Sequence, residues 1–133
     1  MITRSVSDLM NTKNKRTLPK LSSAGIEASY PVSVFDEFGH IRETHITGER
    51  PLTIYIDKQE IVTLMTLGKN PELLVIGYLY NQGFIKKTED LKSVQVEWDI
   101  ESAVVVTRRR ISNLKKRLEK RTVTSGCGQG TVF

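Results

Sequence analysis

The chain has 133 residues, 38% hydrophobic and 26% charged, with a net charge of +5. That is enough apolar material for the core of one domain, and no run of about 18 apolar residues offers a membrane-spanning helix. One cysteine excludes an internal disulfide, and with two histidines it cannot complete a tetrahedral metal set, so the composition points to a reducing, cytoplasmic protein without a metal.

The opening segment, MITRSVSDLMNTKNKRTLPKLSSAG, has basic residues but no apolar h-region, so it is not a secretory signal. It lacks periodicity, which predicts a flexible leader over residues 1–25 and a domain over 26–133. Period-two alternation starts at Ser29. SYPVSVFDE sets Tyr30, Val32 and Val34 on one face, HIRETHITG offers a weaker partner strand, and DEFGH between them has turn composition. RPLTIYID alternates Leu52, Ile54 and Ile56 with Thr53 and Tyr55, and DKQE then turns the chain. Ile61, Val62, Leu64 and Met65 predict a more fully buried return strand.

GKNPELLVIGYLYNQGFI predicts a helix with both ends marked. Asn70 is the N-cap, Pro71 the first helical residue, Glu72 the first-turn acid that suits the macrodipole, and Gly83 the C′ residue. Leu73, Leu74, Gly77, Tyr78 and Asn81 trace its predicted inner face, with Gly77 there for close packing on a strand. LKSVQVEWDIESAVVVTRRR predicts two more strands with a turn at Asp99–Ser102. RRRISNLKKRLEKR predicts a very basic helix whose Ile111, Leu114 and Leu118 form a narrow apolar stripe. This order is α+β, β-hairpins packed on a helix.

Cys127 is the leading chemical candidate. It stands in TSGCGQG, where nothing apolar is at hand to bury it. Gly126 and Gly128 leave the sulfur approachable, and with Ser125 they form its supporting loop. Arg117, Lys120 and Arg121 lie upstream, where a loop folding back would meet a cationic field that favours the thiolate. An exposed thiol of this kind suits sulfur relay; an incidental surface cysteine is the alternative. The basic run 107–121 reads either as a phosphate grip, making the chain a nucleic-acid or anionic-surface binding module, or as a solvated helical face. Few aromatics flank it, which counts against base stacking and makes nucleic acid an unfavoured partner. His40 and His45 flank a strand as surface residues, Glu72 reads as a dipole partner and not a general base, and GYLYNQG lacks the spacing of a phosphate-cradling loop.

Three stretches together resemble one family, the formate dehydrogenase accessory sulfurtransferases (FdhD/NarQ): ERPLTIYID at 49–57, VTLMTLGKNPELLVIGYLYNQGFI at 62–85 and TSGCGQG at 124–130. That family carries an E-x-PLTI strand, then a segment like T-P-x-x-x-EELALGFL-x-x-EGII, then a cysteine loop of the S-x-CGxCG kind. The resemblance implies a cytoplasmic homodimer that accepts persulfide sulfur from a cysteine desulfurase. It would deliver that sulfur to the bis-guanine-dinucleotide molybdenum cofactor, its substrate, for formate dehydrogenase. Cys127 matches the first loop cysteine, the persulfide carrier; Gly130 stands where the family has the second, so transfer here would run on one thiol. The resemblance also implies that the loop leads into an α/β cytidine-deaminase-like domain, of which this chain, about half the family's length, would hold only the beginning. A silent partner subunit that docks the desulfurase or the dehydrogenase is a further reading.

Overall fold

A computed structural model describes residues 17–120, together with the backbone of Thr122–Val123 and Thr131–Val132. The first strand, β1 (Lys20–Leu21), is followed by the hairpin β2 (Ser29–Phe35) and β3 (Ile41–Thr47). Next come β4 (Arg50–Ile56), β5 (Gln59–Thr66), helix α1 (Pro71–Asn81), β6 (Leu91–Glu97) and β7 (Ser102–Thr107). Helix α2 (Leu114–Glu119) and the short strands β8 (Thr122–Val123) and β9 (Thr131–Val132) close the chain.

The main sheet has five strands in the order β1-β6-β7-β4-β5. β4 pairs antiparallel with β5 and parallel with β7, β7 pairs antiparallel with β6, and β6 pairs parallel with β1. The alternation read from RPLTIYI holds: Leu52, Ile54 and Ile56 are fully buried, while Thr53 and Tyr55 point to the other face. Asp57 and Lys58 join β4 to β5 with φ of 45° and 73°, the two-residue turn that suits a twisted hairpin, so the turn is shorter than DKQE. The return strand is less buried than its composition predicts, because Met65 is half exposed and Val62 only partly covered. A bulge sits opposite Ile54 and Tyr55, whose partners are Val62 and Glu60. The extra residue, Ile61, turns into the core alongside Leu64, three positions on.

Helix α1 covers the inner face of the sheet. Asn70 and Pro71 mark its start as predicted, although the Asn70 side chain makes no cap hydrogen bond. Its end is a Schellman motif: Gly83, at φ 73°, donates its N–H to the Tyr80 carbonyl at 3.0 Å, and Phe84 donates to the Leu79 carbonyl at 2.9 Å. The buried residues are Pro71, Glu72, Val75 and Leu79; of the predicted face, Tyr78 alone packs against the core, and it is partly buried. Leu73 is 61% exposed, Leu74 also lies outside, and a Cβ on Gly77 would meet nothing within 4 Å, so strand packing does not explain that glycine. The helix is apolar almost all round, so its pattern alone cannot say which side meets the sheet.

The predicted leader ends too late. Residues 1–16 lie outside the described residues, but the segment that follows is built into the sheet edge. Lys20 and Leu21 pair with Ser93 and Val94, Trp98 Nε1 donates to the Ala24 carbonyl at 2.6 Å, and Ile26 donates to the Gly68 carbonyl at 2.8 Å. A two-residue strand is too short to leave a periodic trace, and its partner is some seventy positions away. The predicted hairpin β2–β3 forms, with Tyr30 opposite Ile46 and Val34 opposite Arg42, as a separate two-stranded sheet. Among the described residues no helix is long and apolar enough to cross a membrane. The architecture is mixed α+β.

Candidate functional site

The segment predicted to carry the chemistry is bracketed by backbone that the structure describes. Thr122 pairs with Val132 and Val123 with Thr131, so a small antiparallel ladder brings the two ends of segment 124–130 together. Ser125, Gly126, Cys127 and Gly128, the predicted carrier and its supporting loop, lie within that segment and outside the described residues; Arg121, ahead of the ladder, also lies outside them.

Upstream of the ladder, the basic segment is not one continuous helix. Asn113 takes the left-handed conformation at φ 60°, which asparagine tolerates, and α2 starts only after it. Arg108, Arg109 and Arg110 therefore precede the helix in non-helical backbone and are exposed. This corrects the helix predicted over 107–121. The apolar stripe survives as Leu114 and Leu118 on α2, joined by Ile111 from the preceding loop, all partly buried against the core.

Arg117 is engaged at the end of α1. Its guanidinium donates to the carbonyls of Gln82 at 2.8 Å and Gly83 at 3.2 Å, and lies 4.3 Å from the centre of the Phe84 ring. A cation there meets the negative end of the helix dipole and a buried aromatic face together. Of the predicted cationic field, then, Arg117 ties α2 to α1, and Lys120 stands exposed at the α2 C-cap.

Beside Arg117, the loop after α1 and the loop after β7 face each other across an open groove of about 960 Å³. Lys86 and Lys87 line it from one loop, and Arg108, Arg109 and Arg110 from the other. Sequence reading found the arginine run but missed the two lysines, whose only signal is a Lys-Lys pair just past a helix end. Asp90 joins the loops. Its Oδ2 accepts the backbone N–H groups of Lys86 and Lys87 at 2.9 and 3.1 Å, and its carbonyl accepts that of Arg108 at 2.9 Å. The Lys86 amide is the main reason that the Asp90 carboxyl lies below the usual aspartate range, with the Lys87 amide and both ammonium groups adding to it against a desolvation that works the other way. Asp57 fixes the end of β7 from the other side, accepting from the N–H of Thr107 at 3.0 Å and from its hydroxyl.

Of the remaining candidates, Glu72 has a structural part. Glu72 is buried, and its Oε1 accepts from the Ser22 hydroxyl at 2.6 Å and the Ala24 N–H at 2.8 Å, so it binds the first strand segment to α1. His40 and His45 are exposed on the hairpin, His40 within 3.6 Å of the Asp36 carboxylate.

A family model described as the FdhD/NarQ family matches residues 47–133, from the end of the hairpin through the cysteine segment. A sulfur carrier protein FdhD from Wolinella succinogenes is 31% identical over 90 residues, covering 68% of this chain and 32% of that protein. One from Listeria monocytogenes serotype 4b is 35% identical over 88 residues, covering 65% of this chain and 33% of the relative. A crystal structure described as a formate dehydrogenase accessory protein from Desulfotalea psychrophila overlaps with a TM-score of 0.49 at 22% identity, over 74% of this chain and 43% of that one. The chain spans about a third of the length of the curated relatives it matches. With the family match running from β4 through α1 and the basic loops to the segment that holds Cys127, the chain belongs to the FdhD/NarQ family.

Proposed function

We propose that Cys127 is a sulfur carrier, taking the terminal sulfur of a cysteine desulfurase persulfide and passing it to the bis-guanine-dinucleotide molybdenum cofactor that formate dehydrogenase requires. The observation that carries this reading is the family match, which includes the segment holding the chain's one cysteine. The relatives' description as sulfur carrier proteins supports it. In the loading step the Cys127 thiolate attacks the outer sulfur of the donor persulfide. A new S–S bond forms at Cys127, the donor's S–S bond breaks, and the donor cysteine leaves as thiolate. In delivery the acceptor supplies the electron pair to the outer sulfur, the S–S bond at Cys127 breaks, and Cys127 leaves as thiolate.

Gly130 leaves no second thiol in the segment, so the persulfide cannot be resolved into an internal disulfide. The reading therefore needs one-thiol transfer, with Ser125, Gly126 and Gly128 leaving the sulfur accessible and Lys120 and Arg121 favouring the thiolate. In the working protein we place this chain in a cytoplasmic homodimer, its cysteine segment leading into an α/β cytidine-deaminase-like domain that binds the cofactor substrate.

The test is intact mass after incubation with a cysteine desulfurase and free cysteine, without reductant. The expected result is a gain of one sulfur atom, reversed by a thiol reductant and absent in Cys127→Ala. Loading that persists in Cys127→Ala would refute the assignment.

A further inference from the structure

Two basic segments separated by the whole of β6 and β7 meet at one end of the sheet, and one aspartate holds them together. Lys86 and Lys87 are exposed on one side of the groove, and Arg108, Arg109 and Arg110 on the other. Phe84, Ile85 and Ile111 supply apolar lining between them, and Phe84 and Ile85 are buried. We propose that this groove docks an acidic segment of a partner polypeptide, whose carboxylates lie between the lysine and arginine rows.

The hydrogen-bonding pattern favours an extended acidic chain over a small phosphate ligand. Small phosphate sites are commonly built from backbone N–H groups at a nest or helix start. Here the N–H groups of Lys86 and Lys87 are taken by the Asp90 carboxylate, and that of Arg108 by the Asp90 carbonyl. What remains is side-chain charge on long, exposed stems, which attracts at a distance and accommodates a chain instead of enclosing one group. Base recognition is disfavoured because the groove's one aromatic, Phe84, is buried beneath Arg117 and has no face free for stacking. The docking is independent of sulfur loading at Cys127.

Binding of a fluorescein-labelled oligoglutamate peptide to the full chain, followed by anisotropy, tests the inference, with a uridine oligonucleotide and inorganic pyrophosphate as competitors. The peptide is expected to bind with an affinity that falls as salt rises. The double variant Arg108→Glu/Arg110→Glu is expected to weaken binding about tenfold or more, whereas Lys69→Glu, at the far end of α1, changes it by about twofold or less. Both variants alter exposed side chains, and an unchanged circular dichroism spectrum confirms that they fold. Undetectable peptide binding overturns the proposal, as do equal losses in the two variants. So does displacement by the oligonucleotide or by pyrophosphate at concentrations below those the peptide needs.

Discussion

Glu72 holds the start of α1 and the first strand segment with a single oxygen. The Ser22 hydroxyl it accepts from in turn accepts the Val96 N–H at 2.9 Å, so one buried carboxylate links a helix, a sheet edge and the segment that precedes them. Glu72→Ala removes the acceptor and strands two donors, and is expected to lower the unfolding free energy by about 2 kcal/mol in urea titration. Glu72→Gln keeps an acceptor oxygen and should recover part of that loss. Arg117→Ala gives up the carbonyl contacts at the α1 terminus and the cation over Phe84, and should lower stability by about 1 kcal/mol by the same measurement. First-turn placement of Glu72 is legible in its neighbours Asn70 and Pro71. Its tie to Ser22 is not, because the two are 50 positions apart.

At the scale of elements, two glycines of α1 have opposite roles. Gly83 holds φ at 73°, where a side chain meets its own backbone, so Gly83→Ala should destabilise by about 1 kcal/mol. Gly77 lies inside the helix with open space around its Cα, so Gly77→Ala should stabilise by about 0.5–1 kcal/mol through propensity alone. Thermal unfolding of the two variants reads both signs. The hairpin β2–β3 presents Phe35, Phe38 and Ile41 at 68–76% exposure and has no buried residue, whereas β4 contributes three fully buried residues to the core. A lone two-stranded hairpin is marginal in water, so amides of 29–47 are expected to exchange with deuterium well before those of β4 and β7. Comparable protection across both regions would contradict that.

Across the whole molecule, acid should loosen the end of the sheet where the basic loops meet. A carboxyl whose folded value lies below its unfolded one contributes stability above the unfolded value and loses it as pH falls through the folded value. Asp90 is such a group, so the clamp on Lys86 and Lys87 is intact at neutral pH and released as the pH drops below the ordinary aspartate range. As the pH falls below the ordinary aspartate range, the Lys86 and Lys87 amide resonances should move with Asp90 protonation, and Asp90→Asn should abolish that movement. The Arg108 contact is to the Asp90 backbone carbonyl, which does not titrate, so acid frees the lysine loop and leaves the arginine loop tied to Asp90.

What the sequence determined by itself was whatever the chain settles over a few neighbouring residues. The period-two face of β4, the turn before β5, the proline and glycine that bound α1, and the isolated cysteine among glycines were all legible, because each follows from local backbone preference or side-chain alternation. The tertiary structure decided what depends on residues distant in the chain. It chose Val75 and Leu79 over Leu73 and Leu74 as the inner side of a helix apolar nearly all round, because only the position of the sheet distinguishes them. It drew Lys20 and Leu21 into the sheet edge, since a two-residue strand is defined by its partner. It broke the basic run at Asn113 and set Arg108–Arg110 opposite Lys86 and Lys87, because the charges in each loop are local but the groove between them exists only once β6 and β7 have paired.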